Sequence, residues 1–413
     1  MSKHLLKKRS SPFFIFPFTL LLTLLLALPW VSAKEPPKPK PEAWQINGIV
    51  AALDDGYDGV KRQALNKFNR YDLKNLKLVV QKPEDIAQKL FNILKNKTVD
   101  SFVRSGAASA LGNLGEVAKP YVKEIADILN DKSVDSSVRS GAAYALGNMG
   151  EAAKPYVKDI ADILNDKSVD SSVRSGAAYA LGNMGEAAKP YVKDIADILN
   201  DKSVDSSVRS GAAEALGNLG EAAKPYVKEI ADILKDKSVD SSVRSGAAEA
   251  LGNMGEAAKP YVKDIFDFLK DKTVDSGVRF GAASALGNLG EVAKPYVKEI
   301  FDFLKDKTVD SFVRSGAASA LGNLGEVAKP YVKEIADILN DKSLDKYIRS
   351  GAAEALGNLG EAAKPYVKEI ADILNDKSLD PFLRSGAASA LGNLGEAAKP
   401  YVKEIADIQQ FSF

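Results

Sequence analysis

Apolar residues recur through most of this chain in a 35-residue pattern, and each period contains two stretches with helical spacing. In the period that starts at Val138, the first stretch places one apolar stripe on a helix, formed by Val138, Ala142, Ala145, Leu146 and Met149. The second stretch has two adjoining apolar faces, formed by Tyr156, Val157, Ile160, Ile163 and Leu164. We therefore expect two helices per period, of which the second is buried on two sides.

Residues with special backbone roles mark the ends of these helices. Asp135 precedes the first stretch and can accept hydrogen bonds from the free N–H groups of a first helical turn. In the last period a proline, Pro381, follows that aspartate, and proline is favourable at the first position of a helix. Gly150 suits the positive φ that often ends a helix. The pattern predicts helix A over about residues 136–149, and helix B with Pro155 at its start or in its first turn.

The period is repeated nine times without an insertion or a deletion. One arginine marks every copy, at positions 104, 139, 174, 209, 244, 279, 314, 349 and 384, and the copies over residues 138–172 and 173–207 are identical. Equal units that repeat without interruption stack on their neighbours as a solenoid. The sequence predicts an all-α solenoid of nine 35-residue helix pairs over residues 99–413.

The chain before the repeats divides into three segments. Residues 1–33 carry a basic start, an apolar run over residues 13–28 and the sequence Val-Ser-Ala before residue 34, which is the pattern of a secretory signal peptide. An uncleaved membrane anchor is the alternative. Residues 34–43 form a spacer rich in proline and lysine. Residues 44–98 echo the repeat weakly and predict an atypical N-terminal capping unit.

Charge and composition argue against several classes of function. The chain has 56 basic and 55 acidic residues, and 52 basic residues remain without Lys3, Lys7, Lys8 and Arg9 of the predicted signal peptide. This near-neutral balance does not indicate nucleic-acid binding. Cysteine is absent and the one histidine is His4, so the mature chain would lack the usual zinc ligands and the commonest general base. We predict no catalytic, metal-binding or cofactor-binding residues.

The copies differ chemically at a few positions only. One variable position shares a stripe of helix A with Ser140 and Asn148, away from the apolar stripe, so its variation predicts solvent exposure. It is occupied by Ser109, Tyr144, Tyr179, Glu214, Glu249, Ser284, Ser319, Glu354 and Ser389. A second position, two residues before the marking arginine, is aromatic in four copies, as Phe102, Phe312, Tyr347 and Phe382. Tyr144 and Tyr179 are candidate partner-binding residues.

Five additional phenylalanines occur within about two repeats. Helix B carries Phe266 with Phe268, and Phe301 with Phe303, where other copies have alanine and isoleucine. Phe280 replaces the usual serine on the outward stripe of helix A between them. These residues either fill space in the core near Gly277 or form an aromatic patch that anchors a partner.

The block Val-Arg-x-x-Ala-Ala-x-Ala-Leu-Gly-x-Leu/Met-Gly, followed by a helix that proline opens, resembles HEAT-like repeats of the phycobilisome-lyase type over residues 100–408. The resemblance implies a right-handed superhelix with A helices on the convex side and B helices on the concave side. It also implies a ladder of aspartates and arginines between repeats, carried by Asp135, Arg139, Asp170, Arg174, Asp205, Arg209 and their equivalents. Helix capping and an ion pair four residues apart would explain these residues without a binding role.

The leading hypothesis is a non-catalytic scaffold, exported to the periplasm or the cell exterior, that binds proteins through the solenoid surface. It would bind no nucleic acid and would not insert into a membrane once the signal peptide is cleaved. Structural self-association is an alternative, because the last copy lacks a polar cap and ends with Phe411 and Phe413. An enzyme of the lyase or hydroxylase type is a third hypothesis, although the iron-binding hydroxylases of that family use histidines that the mature chain would lack.

Overall fold

The computed structural model describes residues 38, 40–73 and 75–401. The predicted signal peptide, most of the spacer and the tail from residue 402 onward lie outside the described residues. Over the described part of the chain the secondary structure is helical, and no strand is present there. Eight helix pairs follow one another in the described repeats, and a ninth first helix follows them, so the predicted all-α solenoid is confirmed.

Each repeat begins with a helix A that an aspartate caps. The nine A helices are Ser101–Asn113, Ser136–Asn148, Ser171–Asn183, Ser206–Leu219, Ser241–Asn253, Ser276–Asn288, Ser311–Asn323, Lys346–Asn358 and Pro381–Leu394, and they define repeats 1 to 9. The Asp135 carboxylate accepts a hydrogen bond from the Ser137 N–H at 2.9 Å. This contact satisfies one of the free N–H groups at the start of the helix.

The segment after helix A is a 3₁₀ helix, which the sequence pattern did not predict. These segments are Gly115–Tyr121, Gly150–Tyr156, Gly185–Tyr191, Gly220–Tyr226, Gly255–Tyr261, Gly290–Tyr296, Gly325–Tyr331, Gly360–Tyr366 and Gly395–Tyr401. Gly150 has a φ of +51°, as its position predicted. Pro155 lies inside the 3₁₀ helix. The prediction that Pro155 belongs to helix B is therefore wrong, because Tyr156 (φ −105°, ψ 6°) interrupts the α-helical geometry after it.

Helix B starts directly after this interruption and is short. The B helices of repeats 1 to 8 are Val122–Asn130, Val157–Asn165, Val192–Asn200, Val227–Lys235, Val262–Lys270, Val297–Lys305, Val332–Asn340 and Val367–Asn375. Ile160 and Leu164 are fully buried, as are Val138 and Leu146 of the partner helix A. The predicted apolar stripes therefore form one continuous core along the array.

The capping unit at the N-terminus contains three α-helices and one short 3₁₀ helix. They are Ala43–Ala52, Asp58–Phe68, Leu76–Leu78 (the 3₁₀ helix) and Pro83–Lys95. Pro83–Lys95 packs against the first helix A as a helix B would. The Arg104 Nε donates to the Leu94 carbonyl at 2.9 Å, and Arg139 makes the same bond to Leu129. The predicted echo of the repeat in this unit is therefore visible in its contacts.

Adjacent A helices approach each other almost backbone to backbone. A Cβ atom on Gly147 would lie 2.7 Å from the Cα atom of Ala180, and a similar contact recurs at each boundary from Gly112 to Gly357. Adjacent B helices have far fewer close backbone approaches. The A helices therefore form the most closely packed layer of the array.

Candidate interaction surfaces

The A helices present one continuous surface, which we call the A face. Three rows run along it with one residue per repeat: the serine row through Ser140, the mixed row through Tyr144 and the amide row through Asn148. Residues four apart lie side by side on a helix, so the rows are neighbours. Because the A helices are so close, residues of one row can touch their counterparts in the next repeat, as Asn148 touches Asn113.

The mixed row is the variable position that was predicted to be exposed to solvent, and that prediction is wrong for most repeats. Glu249, Ser284 and Ser319 are buried, and Tyr144 and Tyr179 are half-buried. The rings of Tyr144 and Tyr179 stack with their centroids 3.6 Å apart and an interplanar angle of 11°. Burial follows from the glycine–alanine contacts, which bring neighbouring A helices too close for solvent to separate these side chains.

Two consecutive glutamates make the centre of the mixed row unusual. Glu249 is 6% exposed, and its Oε1 atom has no hydrogen-bond partner among the described residues. Burial, together with the neighbouring charge of Glu214, raises the pKa of Glu249 to about 8. Burial also raises the pKa of Glu354, where a hydrogen bond from the Ser319 hydroxyl at 3.5 Å opposes part of the shift.

The five additional phenylalanines do not form one exposed patch. Phe266 and Phe301 are each 5% exposed and belong to the core between repeats. Their rings lie 4.7 and 4.8 Å from the rings of Tyr296 and Tyr331 in the following repeat. The space-filling interpretation therefore describes these two residues.

Phe268 and Phe303 pack against buried arginines. The guanidinium of Arg244 lies 5.2 Å from the ring centroid of Phe268, and Arg279 lies 5.6 Å from Phe303. These distances permit cation–π attraction, which is stronger for groups removed from water. The two phenylalanines therefore cover these guanidinium groups, and their side chains are half-buried.

Phe280 belongs to a different cluster, which we call the aromatic row: Phe280, Phe312, Tyr347 and Phe382. The Phe280 and Phe312 rings stack at 4.5 Å, and Tyr347 meets Phe382 edge to face at 5.1 Å. Tyr347 and Phe382 remain 44% and 50% exposed. Four aromatic side chains in repeats 6 to 9 thus follow one edge of the A face, where repeats 2 to 5 have serine.

The aspartates and arginines of the predicted ladder do not form direct ion pairs. Arg174 is buried, and its Nε donates to the Leu164 carbonyl at the end of the preceding helix B, at 2.9 Å. The pKa of Asp170 is lowered first by hydrogen bonds from the Ser172 hydroxyl and N–H, and to a lesser degree by the Arg139 charge. The aspartates therefore cap the A helices, and the arginines bind a carbonyl near the end of the preceding helix B. The predicted ion pair between an aspartate and the arginine four residues later is not formed among the described residues.

The amide row is a feature that sequence analysis missed. The Asn113 Nδ2 donates to Asn69 Oδ1 at 3.0 Å, Asn148 donates to Asn113 at 3.3 Å, and Asn183 donates to Asn148 at 3.5 Å. Similar bonds join further pairs, namely Asn288 with Asn253, Asn358 with Asn323 and Asn393 with Asn358. The sequence does contain a signal for this row: the asparagine is the same in all nine copies, whereas the mixed-row residue four positions before it varies.

Two other kinds of site are absent from the described part of the chain. No group of three or more histidine, aspartate and glutamate side chains there could hold a metal ion. None of the described helices combines the length and apolar character that a bilayer crossing needs.

Comparison with known proteins supports the repeat type. A sequence family described as HEAT repeats matches residues 195–275. A search of curated proteins finds no similar sequence. Among solved structures, an engineered protein is similar at 23% identity and a TM-score of 0.36, over 85% of this chain and 98% of that one.

Importin beta and the karyopherin Kap121p are also similar in structure. Importin beta has 16% identity and a TM-score of 0.49, over 86% of this chain and 55% of that one. Kap121p bound to the SUMO protease Ulp1p has 14% identity and a TM-score of 0.42, over 89% and 43%. This chain thus spans about half the length of those two chains. The protein is an α-solenoid whose central units are similar to HEAT repeats.

Proposed function

We propose that this protein is an exported, non-catalytic scaffold that binds other proteins through the surface of its solenoid. The observation that carries the proposal is the aromatic row. Tyr347 and Phe382 expose about half of their side-chain surface, in positions where repeats 2 to 5 have serine. Exposed aromatic residues that lie side by side are typical of protein-binding surfaces.

The aromatic row can be tested by restoring the serine of repeats 2 to 5. The variant Phe312→Ser, Tyr347→Ser and Phe382→Ser changes no buried apolar stripe, so the fold should be retained. Affinity capture from the exported fraction, followed by mass spectrometry, should recover a defined partner with the unmodified protein and lose it with this variant. Phe102→Ser is the matched control, because Phe102 is 61% exposed at the same position of repeat 1. Equal capture by the triple variant would contradict the proposal.

Export is supported by the basic start, the apolar run and the Val-Ser-Ala sequence at residues 31–33. We expect the mature protein to begin near Lys34, as read by N-terminal sequencing of the exported fraction. Recovery of the intact N-terminus from an integral membrane fraction would show that the segment is an anchor instead.

End-to-end self-association is a second candidate, which one observation favours. A Cβ atom on Gly392 would meet no described atom within 4 Å, whereas one on the equivalent Gly147 would meet the backbone of the next helix A. Among the described residues, the last helix A therefore has no neighbour on the side that the other A helices bury. Sedimentation velocity over a range of concentrations separates this candidate from the scaffold, since only self-association depends on the concentration of the protein alone.

A further inference from the structure

A cavity lies on the A face at repeats 1 to 3, and the amide row forms part of its wall. Its lining includes Asn113, Asn148 and Asn183 together with backbone around Gly112 and Gly147. Within the row, each of these amides donates through Nδ2 to the preceding asparagine. A carboxamide has two N–H donors, so one donor on each side chain is not used by the ladder.

The chemistry of this wall suits a peptide main chain. It presents neutral donors in a line, and the mixed row beside it carries the stacked Tyr144 and Tyr179 rings. An extended polypeptide offers carbonyl acceptors at regular intervals, whereas helices satisfy their own carbonyls. The lysines near the rim are already paired, for example Lys119 with Glu116 at 3.4 Å and Lys154 with Glu151 at 3.5 Å. This pairing disfavours a phosphate ligand.

Next to the tyrosines, the mixed row continues with Glu214 and Glu249. No ion pair joins either carboxylate to a basic residue in the described part of the chain. The same row supplies neutral neighbours on both sides, Tyr179 from repeat 3 and Ser284 from repeat 6. Two acidic groups without a counter-ion, one of them with an unpartnered buried oxygen, favour the approach of a cation.

We propose that the A face of repeats 1 to 5 binds an extended, basic segment of a partner protein. The main chain of that segment accepts hydrogen bonds from the amide row, and a lysine or arginine side chain reaches Glu214 beside Glu249. Half-buried Glu214 is the accessible member of the pair and makes the contact, and the buried Glu249 carboxyl group is its neighbour in the next repeat. This inference rests on the proposed scaffold function and specifies the chemistry of one partner.

The test uses a library of random 12-residue peptides, selected on the exported protein. Enriched peptides should carry lysine or arginine at one preferred position. The double variant Glu214→Gln and Glu249→Gln should weaken binding of the selected peptide by at least about tenfold, because it removes the Glu214 charge and the neighbouring Glu249 carboxyl group at nearly constant volume. Asn148→Ala with Asn183→Ala should weaken it by at least about threefold, because it removes two main-chain contacts. Circular dichroism and thermal unfolding would verify that both variants fold.

Matched controls lie on the same rows outside the site. Glu354→Gln changes the other glutamate of the mixed row, and Asn323→Ala with Asn358→Ala breaks an equivalent amide bond of 3.2 Å in repeats 7 and 8. We expect less than twofold change from either control. Selected peptides without a basic residue, or equal losses in controls and test variants, would overturn the inference. If a partner is captured and depends on the aromatic row alone, the scaffold proposal stands and this inference fails.

Discussion

At the scale of single residues, Glu249 gives the protein a distinct dependence on pH. Its pKa lies near 8 in the folded chain, against an ordinary value of 4.5. Between these values the folded state holds a proton that the unfolded state releases, so stability falls as pH rises across the window. The only histidine is His4, so few other side chains titrate between pH 5 and 8.

We predict that Glu249→Gln flattens this dependence. A glutamine cannot ionise, so it removes the cost of keeping a carboxyl group neutral or burying its charge. At pH 7 the variant should be more stable by about 1–3 kcal/mol, and its free energy of unfolding should change less between pH 5 and 8. Urea unfolding at several pH values measures both quantities.

The control for this prediction is Glu361→Gln, because the Glu361 side chain is exposed and pairs with Lys364. Its unfolding profile should follow that of the unmodified protein. If the free energy of unfolding changes equally with pH between 5 and 8 in the unmodified protein and in both variants, Glu249 does not hold the proton that its burial implies.

At the scale of elements, the contact between adjacent A helices depends on glycine. A methyl group on Gly147 would meet the Ala180 Cα atom at 2.7 Å, and a backbone atom cannot move aside unless the helices separate. Gly147→Ala should therefore lower the free energy of unfolding by about 1–3 kcal/mol, although alanine itself favours helix. Chemical denaturation measures the change.

Gly392→Ala makes the same substitution where no described atom lies within 4 Å. There the helix propensity of alanine should act alone, and stability should rise by up to about 1 kcal/mol. A large loss at Gly392 would mean that a further segment packs on this end. Similar effects at both positions would contradict the role of close packing.

At the scale of the whole molecule, each unit contacts its neighbours only, so the array should tolerate the loss of one repeat. Deleting residues 173–207, which are identical to residues 138–172, removes one complete period and keeps the register of the remaining repeats. We expect a soluble, helical protein. Its free energy of unfolding should be lower by the contribution of one repeat and of one interface between repeats. The dependence of unfolding on denaturant should fall by about one tenth, in proportion to the surface lost.

Hydrogen exchange would locate the effect of this deletion. Protection should change in the repeats on either side of the junction and remain unchanged at the ends of the array. A shortened chain that unfolds completely, or one whose stability does not change, would show that the repeats do not behave as a linear series.

The sequence by itself determined the number of repeats, their register, the two helices in each and the capping aspartates. These properties depend on local chemistry: helical spacing of apolar residues, side-chain capping and the backbone freedom of Gly150. The 3₁₀ segment was missed because Pro155 is compatible with either kind of helix, and only the backbone at Tyr156 distinguishes them.

Only the tertiary structure decided which outward residues meet solvent. Tyr144, Glu249 and Asn148 lie on the polar side of helix A, and a single helix would expose all three. The glycine–alanine contacts bring the next helix so close that these positions are enclosed between repeats. The distance between elements thus determines the burial of the mixed row, the raised pKa of Glu249 and the bonding of the amide row, and that distance is not a property of any one segment of sequence.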